Sequence, residues 1–274
     1  LGARRLNARS DLDLIVIYDP EEAEASEGRR PLPARTYYAR LTQALVTALS
    51  APTAEGRLYE VDMRLRPSGN QGPVATSWSA FRNYQTTEAW TWEHMALTSA
   101  RPVAGPDSLQ RDVEDFRLDL LSDPGDADKL RHEVAEMRAR IAAAKGETQA
   151  WDMKVGRGRT QEIELLAQAG ALAAGRPTAS VEEGLSGAVD VGWLAQSDAT
   201  GLGQAWTQFW AVNMTTKLLT DAPLDPETLG RGGCDLLLRD SGTKDWTALQ
   251  DRLESLRQGA ADILDRTLKE DGDG

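Results

Sequence analysis

Residues 10–19, SDLDLIVIYD, constrain the fold more than any other stretch: an apolar, β-branched run with two aspartates, one residue apart, at its mouth. By length, by its isoleucines and valine, and by the Pro20 that follows, residues 12–18 are predicted to form a strand. Side chains two apart in a strand share a face, so Asp11 and Asp13 present both carboxylates on one side, separated by two rises of ~3.3 Å each. Hard divalent cations take carboxylate oxygens and keep positions open for phosphates, so such a pair suits a metal–nucleotide complex. An acidic chain also makes such pairs by chance, and Asp126/Asp128 and Asp271/Asp273 have the same spacing. Only the first pair opens an apolar strand, where a desolvated, unpaired carboxylate is costly.

A second strand is predicted over residues 57–66, RLYEVDMRLR, which alternate up to Pro67. Asp62 shares a face with Glu60 and Arg64, opposite Val61 and Met63, and would join Asp11 and Asp13 if the two strands are neighbours. Three carboxylates can hold a pair of Mg²⁺ ions about 3.5–4 Å apart, the arrangement used for in-line phosphoryl and nucleotidyl displacement. Arg64 and Arg66 would offer cations to a triphosphate. The alternative for both arginines is a solvated strand face.

Around these strands the chain punctuates itself clearly. Residues 21–33, acidic with Gly and Pro, are a loop, and residues 35–50 carry Tyr38, Leu41, Leu45 and Leu49 at helical spacing. The turn PSGNQGP, residues 67–73, precedes Trp78, Phe81, Tyr84, Gln85 and Trp92 among helix formers. Beyond Gly105-Pro106 the β-branched runs vanish, so the boundary falls there: a catalytic domain over 1–105 and a helical domain over 106–274. In the latter, Leu130, Val134, Met137 and Ile141 make one stripe, Glu136 and Arg140 a surface pair, Gly146 a helix stop, and Ser180 with Glu183 a capping box. Further helices are predicted over residues 160–174, 202–219, 226–238 and 246–268. The expected class is α+β, a mixed sheet with helices followed by an all-α bundle.

The 274 residues include 43 acidic and 31 basic side chains, a net charge of −12 that repels a polyanion and argues against nucleic acid as a partner. No apolar run reaches the roughly 18–20 residues of a membrane span, so no membrane partner is expected. A single cysteine, Cys234, cannot form an internal disulfide; it reads as a buried thiol in a reducing cytoplasm. The start at Leu1-Gly2, without an initiator methionine, is that expected of a piece of a longer protein. His94, in AWTWEHM, has no Cys or second His nearby and is expected to pack or hydrogen-bond, while His132 faces solvent on a charged helix. Trp206, Trp210 and Met214 recur at helical spacing and are assigned to the core.

The order Gly2, SDLDLIV, helix, then an acidic residue on a strand resembles the nucleotidyltransferases of the DNA polymerase β superfamily. More narrowly, YEVDMRLRPSGNQGPVATSWSAF with EAWTWEHMALTSARPVAG resembles glutamine synthetase adenylyltransferase, and RLRPSG favours its C-terminal, AMP-attaching half. The helical segment MKVGRGRTQEIELLAQ, residues 153–168, is similar to the element that follows the catalytic domain in that family. The resemblance implies a polymerase β-like domain in which Asp11, Asp13 and Asp62 are catalytic and ligate Mg²⁺. Gly2, Ser10, Arg64 and Arg66 would bind the nucleotide. It also implies ATP as substrate, glutamine synthetase as protein substrate and a PII signal protein as regulator. Where the family has a small pair and then a glutamate in the first loop, this chain has Gly2-Ala3 and Arg5; Glu162 and Glu164 are read as an exposed helix face. Phosphorolytic removal of AMP and a non-catalytic, metal-binding regulatory module remain the alternatives.

Overall fold

The computed structural model describes residues 2–7, 9–57, 59–123, 125–145 and 149–269. The chain divides into two compact units, Leu1–Ala96 with Ala100–Leu120, and Leu97–Ser99 with Leu121–Gly274. Helices dominate, with a small set of parallel strand pairs confined to the first unit.

In the first unit the apolar run of residues 12–18 is not one strand but two short ones. β1 (Asp11–Asp13) pairs in parallel with β3 (Glu60–Asp62), and β2 (Ile17–Tyr18) pairs in parallel with β4 (Thr76–Ser77). The run changes partner between them: Leu14 N–H donates to Asp62 O at 2.8 Å, and Thr76 N–H donates to Val16 O at 3.0 Å. The second predicted strand shrinks to Glu60–Asp62 because the chain turns straight afterwards, with Ser68 (φ 59°) and Gly69 (φ 52°) in the left-handed region. Gly72 is obligatory in that turn, since a Cβ there would lie 1.9 Å from Pro67 O.

Helix α1 (Ala34–Ser50) joins the two strand pairs, as its periodicity predicts, yet Leu41, Leu45 and Leu49 of its stripe stay exposed. The unit's aromatic core forms where α2 (Trp78–Thr87), capped by Ser77 Oγ, meets α4 (Asp107–Ser122). Phe116 stands edge-on to both Trp78 and Phe81, at 5.5 Å and 6.3 Å between centroids, and Arg82 caps Trp78 and Phe116 at 5.6 Å each. Between these helices, α3 (Thr91–Thr98) carries the buried Glu93, which accepts the Tyr84 hydroxyl and the Trp90 amide. His94 Nε2 lies 3.0 Å from Gln85 O, a hydrogen-bonded histidine as expected.

The second unit contains α5 (Ala127–Lys145), α6 (Thr160–Ala173), α7 (Val181–Asp190), α8 (Gln196–Leu219), α9 (Arg231–Ser241) and α10 (Trp246–Thr267). Its tightest packing is α6 on α7, where glycines let the backbones touch. A Cβ at Gly170 would meet Gly184 O at 2.5 Å, one at Gly184 would meet Ala167 O at 2.3 Å, and one at Gly187 would meet Gly170 O at 2.5 Å. Ile163, Leu166, Leu185, Leu202, Phe209, Leu249 and Leu264 fill the centre, and Trp206 stacks on Trp210.

Several local expectations change. The helix predicted over residues 226–238 begins only at Arg231, because Asp225 accepts the Glu227 amide and holds residues 225–229 in a turn that Gly230 ends. Ser180 caps α7 through the Glu183 amide, but the Glu183 carboxylate pairs with Thr178 instead of returning to Ser180, so the box is half closed. Glu136 faces His132 at 3.7 Å rather than Arg140. Cys234 is half-buried and its thiol points at Leu229 O, 3.2 Å away. Gly146, Asp271 and Asp273 lie outside the described residues.

Candidate active site

Parallel pairing of β1 with β3 sets Asp11 opposite Glu60, Leu12 opposite Val61 and Asp13 opposite Asp62. Residues opposite one another share a face, and alternate residues along a strand do too. Asp11, Asp13, Glu60 and Asp62 therefore stand on one face of the pair, with Leu12 and Val61 on the other. Neighbouring strands lie about 4.8 Å apart, which is close enough for the Asp13 and Asp62 carboxylates to share one cation.

Arg64 supplies positive charge to that face. Its backbone N–H donates to Asp62 Oδ1 at 2.8 Å and its Nε donates to Oδ2 at 2.7 Å, with Nη2 on that same oxygen. These hydrogen bonds hold the Asp62 carboxyl below the usual carboxylate range, against partial burial that pushes it up. The same carboxylate raises Arg64, and Asp13 and Asp11 raise it further, so the guanidinium feels all three aspartates. Among the described residues no three Asp, Glu, His or Cys side chains converge as a finished metal cage. The donor chemistry nevertheless suits a hard cation: carboxylate oxygens on one strand face, with Asp62 already accepting positive charge.

The other sequence-predicted residues take different roles. Ser10 Oγ accepts the Asn7 amide at 2.9 Å and thereby shapes the turn that feeds β1. Arg66 is turned to its own loop, with Nη1 donating to Met63 O at 2.6 Å and Nε to Gly72 O at 3.3 Å. Gly2 lies in a turn whose Arg4 adopts φ 54°, and Gly2 O accepts from Arg101 Nε at 3.1 Å.

Residues 1–116 match the family model described as glutamate-ammonia ligase adenylyltransferase. This stretch belongs to that family. The chain is also similar to bifunctional glutamine synthetase adenylyltransferase/adenylyl-removing enzymes. That of Mesorhizobium japonicum is 41% identical over 98% of this chain and 28% of its own length. That of Rhizobium meliloti is 40% identical over 96% and 28%, and that of Brucella suis is 53% identical over 63% and 18%. The chain thus spans little more than a quarter of the relatives that it matches nearly end to end.

Within this adenylyltransferase-family stretch, Arg101 is the residue that pattern reading passed over. It sits in ALTSARPVAG, a segment notable only for its likeness to the family, and no spacing rule links it to Gly2 across 99 residues. In the second unit, Glu162 and Glu164 are not an exposed face. Glu162 is 12% exposed and accepts Arg138 and the Gly158 amide, while Glu164 accepts the Trp206 indole N–H at 2.9 Å. Arg138 bridges on to Asp265 at 2.7 Å, so Arg138 ties α5 to α6 and α10 while Glu164 ties α6 to α8.

Proposed function

We propose that this chain transfers AMP from ATP to a tyrosine hydroxyl of glutamine synthetase, releasing pyrophosphate, as the attaching part of a longer bifunctional enzyme. The observation that carries the reading is the β1–β3 register, which sets Asp13 beside Asp62 with Asp11 on the same face, within residues that match the adenylyltransferase family. Asp11, Asp13 and Asp62 would hold Mg²⁺, which when bound neutralises charge on the triphosphate and on departing pyrophosphate. Asp62, ionised beside Arg64, would accept the proton of the attacking tyrosine hydroxyl, a role that rests on the family likeness. Arg101 donates to Gly2 O of the first loop and would add a cation for the triphosphate where that loop meets it. Asp11 and Asp13 stand on one face of the same strand, so both carboxylates would meet the metal-bound phosphates from one side.

The catalytic part is assigned to residues 1–105 as a polymerase β-like nucleotidyltransferase domain and residues 106–274 to an all-α domain. The protein works in the cytoplasm under a PII signal protein, a setting that rests on the family likeness. The relatives' shared name supports a second reading, phosphorolytic removal of AMP from adenylylated glutamine synthetase. Two incubations separate them: unmodified glutamine synthetase with ATP and Mg²⁺, and adenylylated glutamine synthetase with phosphate. AMP on tyrosine, detected by mass spectrometry, is the expected result. ADP release without attachment would establish removal instead, and no product from either leaves a non-catalytic module.

A further inference from the structure

Arg159 is only 6% exposed, yet its side chain lines a cavity of about 370 Å³ in the second unit. Met153, Phe209 and Leu253 form a buried apolar floor, Trp151 a half-buried wall, and exposed Gln250 and Glu254 the mouth. Arg159 Nη1 donates to Gln149 O and Val155 O at 2.9 Å each, and the residue lines the cavity. The neighbouring carboxylates are otherwise engaged. Asp152 Oδ1 accepts the amides of Lys154 and Val155 at 2.8 Å and 3.0 Å, and Glu254 accepts Arg257 Nε at 2.8 Å. Both act on Arg159 only through space, while burial lowers its pKa and the Arg257 charge opposes it further.

We propose that this cavity binds a small organic anion with one carboxylate and a compact apolar body. A guanidinium presents a planar fork of donors that matches a carboxylate, and the pairing is strongest away from water. A buried arginine whose hydrogen bonds go to carbonyls has its charge met by Asp152 and Glu254 only through space, and a ligand's carboxylate would pair it directly. Phe209, Met153 and Trp151 then accept the apolar body, which inorganic phosphate lacks. The volume falls within the roughly 300–1,000 Å³ of small-molecule sites. Nothing in the assignment depends on AMP transfer.

Isothermal titration of the chain with sodium benzoate tests it, with benzylamine and inorganic phosphate as controls. Benzoate binds saturably, and benzylamine, of the same shape but opposite charge, does not. Arg159→Gln weakens benzoate about tenfold or more, the loss expected on removing a charge-assisted pair. Because Arg159 also braces two carbonyls, Gln250→Glu at the exposed mouth provides a second variant that leaves the buried floor intact. Its added negative charge weakens benzoate about threefold or more. Absence of saturable benzoate binding, equal binding of benzylamine, tighter binding of phosphate than benzoate, or wild-type affinity in either folded variant would overturn the proposal.

Discussion

Asp62 owes its low pKa to Arg64, whose side-chain and backbone hydrogen bonds outweigh the burial that would raise it. Arg64→Ala therefore moves the Asp62 carboxyl up toward the ordinary value of about 3.9, read by carboxyl NMR titration without added metal. An unchanged titration would mean that Arg64 does not tune the site. Under the proposed function Arg101 serves the substrate rather than the acid. Arg101→Ala raises the KM for ATP about tenfold while kcat is kept, the signature of lost ground-state binding in steady-state kinetics. The carboxylates were legible in the sequence because strand alternation alone puts Asp11 with Asp13 and Asp62 with Glu60. The arginines were not. Alternation places Arg64 on the acidic face but says nothing of its pairing with Asp62, and Arg66 leaves the strand pattern at the turn, where carbonyls claim it. Arg101 meets Gly2 only through the tertiary fold.

At the scale of elements, periodicity located α1, α6 and α10 to within a residue or two, since each is long and patterned. The apolar run of residues 12–18 misled because hydrophobicity marks extended chain but not a change of strand partner. Asp225 misled in another way, by capturing an amide just where propensity alone would start a helix. The glycines of α6 and α7 carry no hydrophobic signal, yet they permit the closest packing in the second unit. Gly187→Ala drives a methyl against Gly170 O, where only backbone can yield, and should cost about 1–3 kcal/mol in chemical denaturation. A neutral result would show that α7 shifts freely on α6. The QEIE acids were read as solvent-facing because charge on a helix is usually exposed. Arg138, 24 residues upstream of Glu162, is what draws that acid inward.

For the whole molecule, a net charge of −12 pushes carboxyl pKa values up in general, so a carboxyl held below its ordinary value needs cations beside it. Burial raises the Asp265 carboxyl, but hydrogen bonds from Arg157 and Arg138 outweigh it and the net pKa is lowered. A carboxyl lowered in the folded state stabilises the fold above its unfolded value of about 3.9, and that stabilisation is lost as pH falls through the folded value. Asp265→Asn accordingly lowers Tm at pH 7, and the gap from wild type closes below about pH 4; a gap that widened on acidification would contradict the pairing. The central claim is that three strand-borne aspartates perform nucleotidyl transfer. Its most direct test follows label from α-³²P-ATP onto glutamine synthetase in the presence of Mg²⁺, comparing wild type with Asp11→Asn and Asp13→Asn. Wild type should attach labelled AMP to tyrosine and release pyrophosphate, while both variants, still folded by circular dichroism, should attach none. Label transfer at the wild-type rate by either variant would contradict the account.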